Sequence, residues 1–201
     1  MPDRKSASDA QPPPQAIAAL TQLFNAGRFA EAEQAAEQLL TAHPASAFVH
    51  NVIGALKAQQ GDLAGAAASY RQAIKSDPGV ADAHSNLGLA LQATGAFEDA
   101  IACFERALTL RPNFADAMNN LGVTMHALGR FDEAAENYRR AIAAGADTAD
   151  LHYNLANALK DLGQRQQAVE EYQAAIARAP GFAEAHHNLG NALRDLGNLA
   201  A

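Results

Sequence analysis

Apolar positions recur along this chain at helical spacing, in short stretches separated by glycine or proline. In ADAMNNLGVTMHAL, Met118, Leu121, Gly122 and Met125 fall on one face. After Gly129 and Arg130, FDEAAENYRRAIAA does the same with Phe131, Ala134, Ala135, Tyr138, Ala141 and Ile142. Neither predicted helix can bury its stripe alone, so the two pack as an antiparallel pair and the next pair covers what remains. Gly129 suits a left-handed residue ending the first helix, where a side chain would clash. A proline disfavours helix in the residue before it and can start the helix that follows.

The pair is one unit of a repeat. Gly27, Gly61, Gly95, Gly129, Gly163 and Gly197 each stand 34 residues after the last. Ala32, Ala66, Ala100, Ala134 and Ala168 follow at one fixed place, Tyr70, Phe104, Tyr138 and Tyr172 at another, and Pro44, Pro78, Pro112 and Pro180 close four units. This pattern resembles the tetratricopeptide repeat family. The resemblance implies an all-α fold, a right-handed superhelical solenoid of antiparallel helix pairs. In this register a flexible arm spans 1–12 and the array spans 13–201, with units 13–46, 47–80, 81–114, 115–148 and 149–182 and a final helix over 183–198. The first unit departs most, with Leu20 where others carry glycine and Ala36 where they carry an aromatic, as an N-terminal cap would. The fifth has Ala156 in the glycine place and Arg165 where Phe29, Phe97 and Phe131 stand, and the fourth ends on Ala146 instead of proline. The final helix is typical of an internal unit, so the chain reads as part of a longer array rather than as one closed by a cap.

Charge and composition narrow the partners. The net charge of -7, from 22 acidic and 15 basic residues, gives a polyanion no electrostatic reason to bind, so no nucleic acid is expected. No stretch nears the roughly 18–20 apolar residues of a membrane helix. The opening MPDRKSASDAQPPPQ lacks the apolar centre of a secretion signal. With a single cysteine, Cys103, no internal disulfide can form. A cytoplasmic protein is the expectation.

In the resembled family the first helix of each unit lines the concave groove through its second, fifth, sixth, ninth, twelfth and thirteenth places. Carried over, the sixth place holds Ala18, Val52, Asn86, Asn120, Asn154 and Asn188. Asparagine is a poor helix former, and its amide could bond both N–H and C=O of an extended peptide; equally, it could bond neighbouring helices. The second place holds Asp82, Asp116, Asp150 and Glu184, which resemble the acidic rung beside the amide rung in O-linked N-acetylglucosamine transferase-like proteins. A carboxylate in a helix's first turn also interacts favourably with its N-terminus, which offers a purely structural reason for it. Remaining groove places run from Ile17, Phe24, Phe48 and Ala55 to Asn119, Tyr153, Asn157, Lys160, Asp161, His187, Asn191, Arg194 and Asp195. A ligand should therefore meet apolar surface near the first units and polar surface over the later ones.

Other chemistry is not indicated. His50, His84, His152 and His186 share the fourth place, but Met118 holds it in the fourth unit, and helices packed about 8–10 Å apart cannot share one zinc through bonds of about 2 Å. A packing position follows. Cys103 reads as a quiet thiol. Lys57, Lys160 and Arg194 are too scattered for the basic clamp of the family's chaperone-binding members, and no phosphate loop, metal motif or nucleophile elbow occurs. No cofactor or metal is expected, and the chain is not expected to be an enzyme. Three functions remain open: a scaffold binding an extended segment of a partner protein, the substrate-recruiting part of a larger transferase, and a module that self-associates end to end.

Overall fold

The computed structural model describes residues 11–197. Most of the arm expected over 1–12, and the last residue of the helix expected to reach 198, lie outside that range. Eleven helices occupy the described residues and no strand is found among them. They run α1 Pro14–Asn25, α2 Phe29–Ala42, α3 Ala47–Gln59, α4 Leu63–Ser76, α5 Ala81–Ala93, α6 Phe97–Leu110, α7 Ala115–Ala127, α8 Phe131–Ala143, α9 Ala149–Asp161, α10 Arg165–Arg178 and α11 Ala183–Asp195. The chain forms two compact units divided between Leu110 and Arg111. Within the first, α1 packs on α2, α3 on α4 and α5 on α6, with α2 against α3 and α4 against α5. Within the second, α7 packs on α8 and α9 on α10, with α8 against α9 and α10 against α11.

Why the pairs close is visible in their small residues. The alanines of the repeat, Ala32, Ala66, Ala100, Ala134 and Ala168, have no exposed surface. A Cβ added at Gly54, Gly88 or Gly122 would lie 2.5 Å from Tyr70 or 2.7 Å from Phe104 or Tyr138 respectively, so the helix face must be bare for the aromatic ring to lie on it. The first repeat, expected to diverge as a cap, makes the reverse exchange. Leu20 fills the glycine place, Ala36 the aromatic place, and both are fully buried in one cluster with Ala32, Val49 and Leu56. Volume is kept while the large side chain changes helix.

The turns follow the expectation drawn for Gly129. Its φ is +75°, its N–H donates to the His126 carbonyl at 3.0 Å, and that of Arg130 reaches back to Met125 at 2.9 Å, so α7 ends on a left-handed glycine. Among the described residues no helix is long and apolar enough to cross a membrane.

Candidate functional site

Three of the four sixth-place asparagines bond to the preceding repeat. Asn86 Nδ2 donates to Asn51 Oδ1 at 3.1 Å, Asn154 Nδ2 to Asn119 Oδ1 at 3.3 Å, and Asn188 Nδ2 to Tyr153 Oη at 3.1 Å. Each partner sits at the fifth place, 35 residues earlier. The amide ladder is thus a set of cross-braces between first helices, at half-buried positions. In each brace an amide N–H is engaged, and the Oδ1 of Asn86 and of Asn154 is left for another partner. Asn120 is half-buried in α7.

Beside the braces lie two cavities at corresponding places of the repeat. In the first unit, one of about 250 Å³ is lined by Ala55, Ala58, Gln59, Leu63, Tyr70, Asn86, Leu89 and Ala90. In the second unit, one of about 110 Å³ is lined by Val123, His126, Tyr138, Asn154 and Asn157. Leu89 and Val123, both at the ninth place, are 41% and 36% exposed. Each cavity has a tyrosine from the second helix of its repeat. Burial raises the Tyr70 phenol to about 12 and pushes that of Tyr138 further above the ordinary range.

The later groove positions are polar and tied to one another. Asn157 Oδ1 accepts from Tyr172 Oη at 2.6 Å and from Asn188 Nδ2 at 3.2 Å. Tyr153 stacks at a tilt on Tyr172 and Phe182, with ring centroids 6.0 and 4.8 Å apart. His126 Nε2 lies 3.0 Å from Asp161 Oδ2, and Lys160 Nζ is 3.6 Å from the other oxygen of the same carboxylate. Asn191 Nδ2 is 3.0 Å from His187 Nε2. Asp116, Asp150 and Glu184 are exposed in the first turns of α7, α9 and α11, while Asp82 is half-buried in α5. Arg194 is exposed near the end of α11.

The fourth-place histidines fasten turns. His50, His84 and His186 each set Nε2 against the carbonyl of the closing proline, Pro44, Pro78 and Pro180, at 3.0, 3.1 and 2.9 Å. Among the described residues no group of three or more acidic, histidine or cysteine side chains could hold a metal. Burial, and after it the nearby Asp99 carboxylate, push the Cys103 thiol up, which disfavours the thiolate. Sequence reasoning missed Leu89, Val123 and His126 as lining residues and treated Tyr70 and Tyr138 as packing only. The signal was present in the ninth place, where an aliphatic residue stands above a tyrosine in one repeat and an asparagine in another.

Helix pairs braced through fixed repeat places define the molecule as an all-α repeat protein of the solenoid class. Tetratricopeptide repeat models match residues 79–146, and residues 54–95 and 156–197. The chain belongs to the tetratricopeptide repeat family. Among solved structures, MamA is 29% identical over 73% of this chain and 85% of its own, with a TM-score of 0.69. PilF of Pseudomonas aeruginosa shares the fold with a TM-score of 0.82 at 19% identity, over 92% of this chain and 84% of its own. YrrB, a TPR protein with an unusual peptide-binding site, has a TM-score of 0.74 at 21% identity, over 84% of this chain and 87% of its own. Among curated proteins no match is found.

Proposed function

We propose that the chain is a protein-interaction scaffold whose first helices hold an extended segment of a partner protein. The observation that carries this is a cavity at the same repeat place in both units, with a tyrosine and a half-buried asparagine at matching positions and an exposed aliphatic side chain at its edge, Leu89 from the later repeat in the first unit and Val123 from the earlier repeat in the second. Structural bracing explains the donors of the asparagines, and Leu89 and Val123 add apolar surface beside the amide oxygens that bracing leaves over. The family resemblance places Asn86, Asn119, Asn120, Asn154, Asn157, Asn188 and Asn191 along the bound segment. Asp82, Asp116, Asp150 and Glu184 then favour basic side chains, and Tyr153, Lys160, His187 and Arg194 supply polar contacts toward the later repeats. That YrrB is a TPR protein with a peptide-binding site accords with this reading.

A random dodecapeptide array tests it. The parent chain should retain a recurring set of peptides, and Leu89→Asp and Val123→Asp should each lose most of that set. Both substitutions are at exposed positions, so helix content and thermal midpoint should stay close to the parent. Retention of nothing by the parent, or of the same peptides by both variants, would refute the groove.

A further inference from the structure

The Tyr138 hydroxyl is the least explained polar group in the second unit. Tyr138 is 2% exposed, yet no described residue hydrogen-bonds its hydroxyl. No enclosed side-chain oxygen or nitrogen among the described residues is orphaned, so this hydroxyl opens on the cavity that the residue lines. Two other repeats serve as internal controls. Tyr172, at the same repeat place, donates to Asn157 at 2.6 Å, because its ninth-place neighbour is an asparagine; Tyr138 has Val123 there and finds no acceptor. Phe104 fills the same place without any hydroxyl and is fully buried. Packing the ring therefore does not require the oxygen.

We propose that the cavity over Tyr138 is a subsite for a neutral carboxamide, the side chain of an asparagine or glutamine in the bound segment. The inference rests on the groove reading above. Three unspent groups line the cavity: the Tyr138 hydroxyl, the Asn154 Oδ1 left after its amide donates to Asn119, and the Asn157 Nδ2 left after its oxygen accepts from Tyr172 and Asn188. A carboxamide answers all three, its oxygen accepting from Tyr138 and Asn157 and its NH₂ donating to Asn154. Neutrality follows from the surroundings. The Asp161 carboxylate beside His126 is already engaged by that ring and by Lys160, so the cavity offers no uncompensated charge to an ionised side chain. A cavity of about 110 Å³ has room for a group of a few heavy atoms such as a carboxamide. The first-unit cavity has Tyr70 and Asn86 at the corresponding places, but Leu89 stands where the second has Asn157, so the third polar group is replaced by an aliphatic one there.

The test pairs the full chain with dodecapeptides drawn from the array, each made with asparagine or glutamine, the matching acid, or alanine at every position. One position should prefer the carboxamide, and Tyr138→Phe should weaken those peptides about tenfold while leaving their alanine versions unchanged. Because Phe104 already occupies this place in another repeat, Tyr138→Phe should fold and keep its helix content. Tyr172→Phe should behave oppositely, loosening α9 and α10 in amide exchange since its hydroxyl has a partner. Peptide binding without a carboxamide position, or equal weakening of every peptide by Tyr138→Phe, would mean that the cavity holds only water and would overturn the subsite while leaving the groove intact. A parent chain that binds no peptide would overturn both.

Discussion

The turn after α4 and the turn after α8 bring the chain back to the same repeat position by different chemistry. In the first unit, Pro78 cannot continue the helix, and His84 sets Nε2 3.1 Å from the proline carbonyl. In the second unit Ala146 stands in the proline place and α8 stops at Ala143, on Gly145 with φ +99°. His152, the counterpart of His84, turns to side chains instead. Its Nε2 lies 2.8 Å from Asp147 Oδ1 and its Nδ1 2.5 Å from Glu171 Oε2. Asp147 is gripped in turn by Arg178, whose Nε and Nη2 donate to its two oxygens at 2.7 and 2.8 Å. A covalent restraint in one turn is replaced in the other by a glycine and a four-membered charged cluster joining the turn to α9 and α10. Rigid covalent geometry is insensitive to solution conditions; a charged cluster is not.

The sharpest way to break this comparison is to remove the two histidines. Both are at least nine-tenths buried or close to it, at 9% and 8% exposure, so loss of the ring is common to both. His84→Ala forfeits one hydrogen bond to a neutral carbonyl, worth about 1 kcal/mol. His152→Ala forfeits two contacts to carboxylates and leaves Asp147 and Glu171 without the group between them, costing about 2 kcal/mol. Amide exchange should quicken throughout α9 and α10 in the second variant and more modestly around α4 and α5 in the first. Equal losses would show that the cluster contributes no more than a turn bond.

Next in size is the glycine. Gly145→Ala forces a side chain into the left-handed region and should cost about 1 kcal/mol in the second unit. Gly79→Ala, in the corresponding turn of the first unit, should cost less, since Gly79 is not at positive φ and the added Cβ would meet only Asp77 Oδ1 at 3.2 Å. Thermal midpoints of the two variants measure the difference directly. A greater loss from Gly79→Ala would mean that glycine is not what ends α8.

Much of this was legible from spacing. Apolar periodicity together with glycine and proline at fixed places gave the helix pairs, and the small residues at helix crossings gave the packing, because both are local rules repeated many times. In the sequence Ala146 is only a missing proline; the adjacent Gly145, with φ +99°, shows that helix termination is transferred by one residue. Leu20 with Ala36 reads as a divergence of the first unit, and that the two form a size exchange becomes visible only when the glycine and aromatic places are known to touch. The asparagines were recognised as unusual, but repeat spacing cannot say which atom of an amide faces which neighbour. The cross-braces and the unspent oxygens came only from three-dimensional positions. The histidines read as packing positions from their spacing, and their proline carbonyls lie six residues away through a turn, a distance no helical periodicity encodes.

The smallest expected effect is the most selective, because it depends on pH. Arg178, and after it His152, hydrogen-bond the Asp147 carboxylate and hold its pKa at about 2, below the ordinary aspartate value near 4. A carboxyl with a folded pKa below its unfolded one binds protons more readily when unfolded. Its contribution is therefore fully present above about pH 4 and is lost as pH falls toward 2. Asp147 is exposed, so solvent screens the effect and its size should be modest. Other carboxylates titrate over the same range, which makes the informative quantity the difference between the parent and Asp147→Asn. Followed by amide exchange in α9 and α10, that difference should be constant above pH 4 and shrink on acidification, while the α4–α5 turn, with glycine at the matching place, should respond alike in both proteins. A gap between the two proteins that stays constant down to pH 2 would mean that Asp147 acts through its shape and not its charge, and the charged cluster would then be no more sensitive to solution conditions than the proline it replaces.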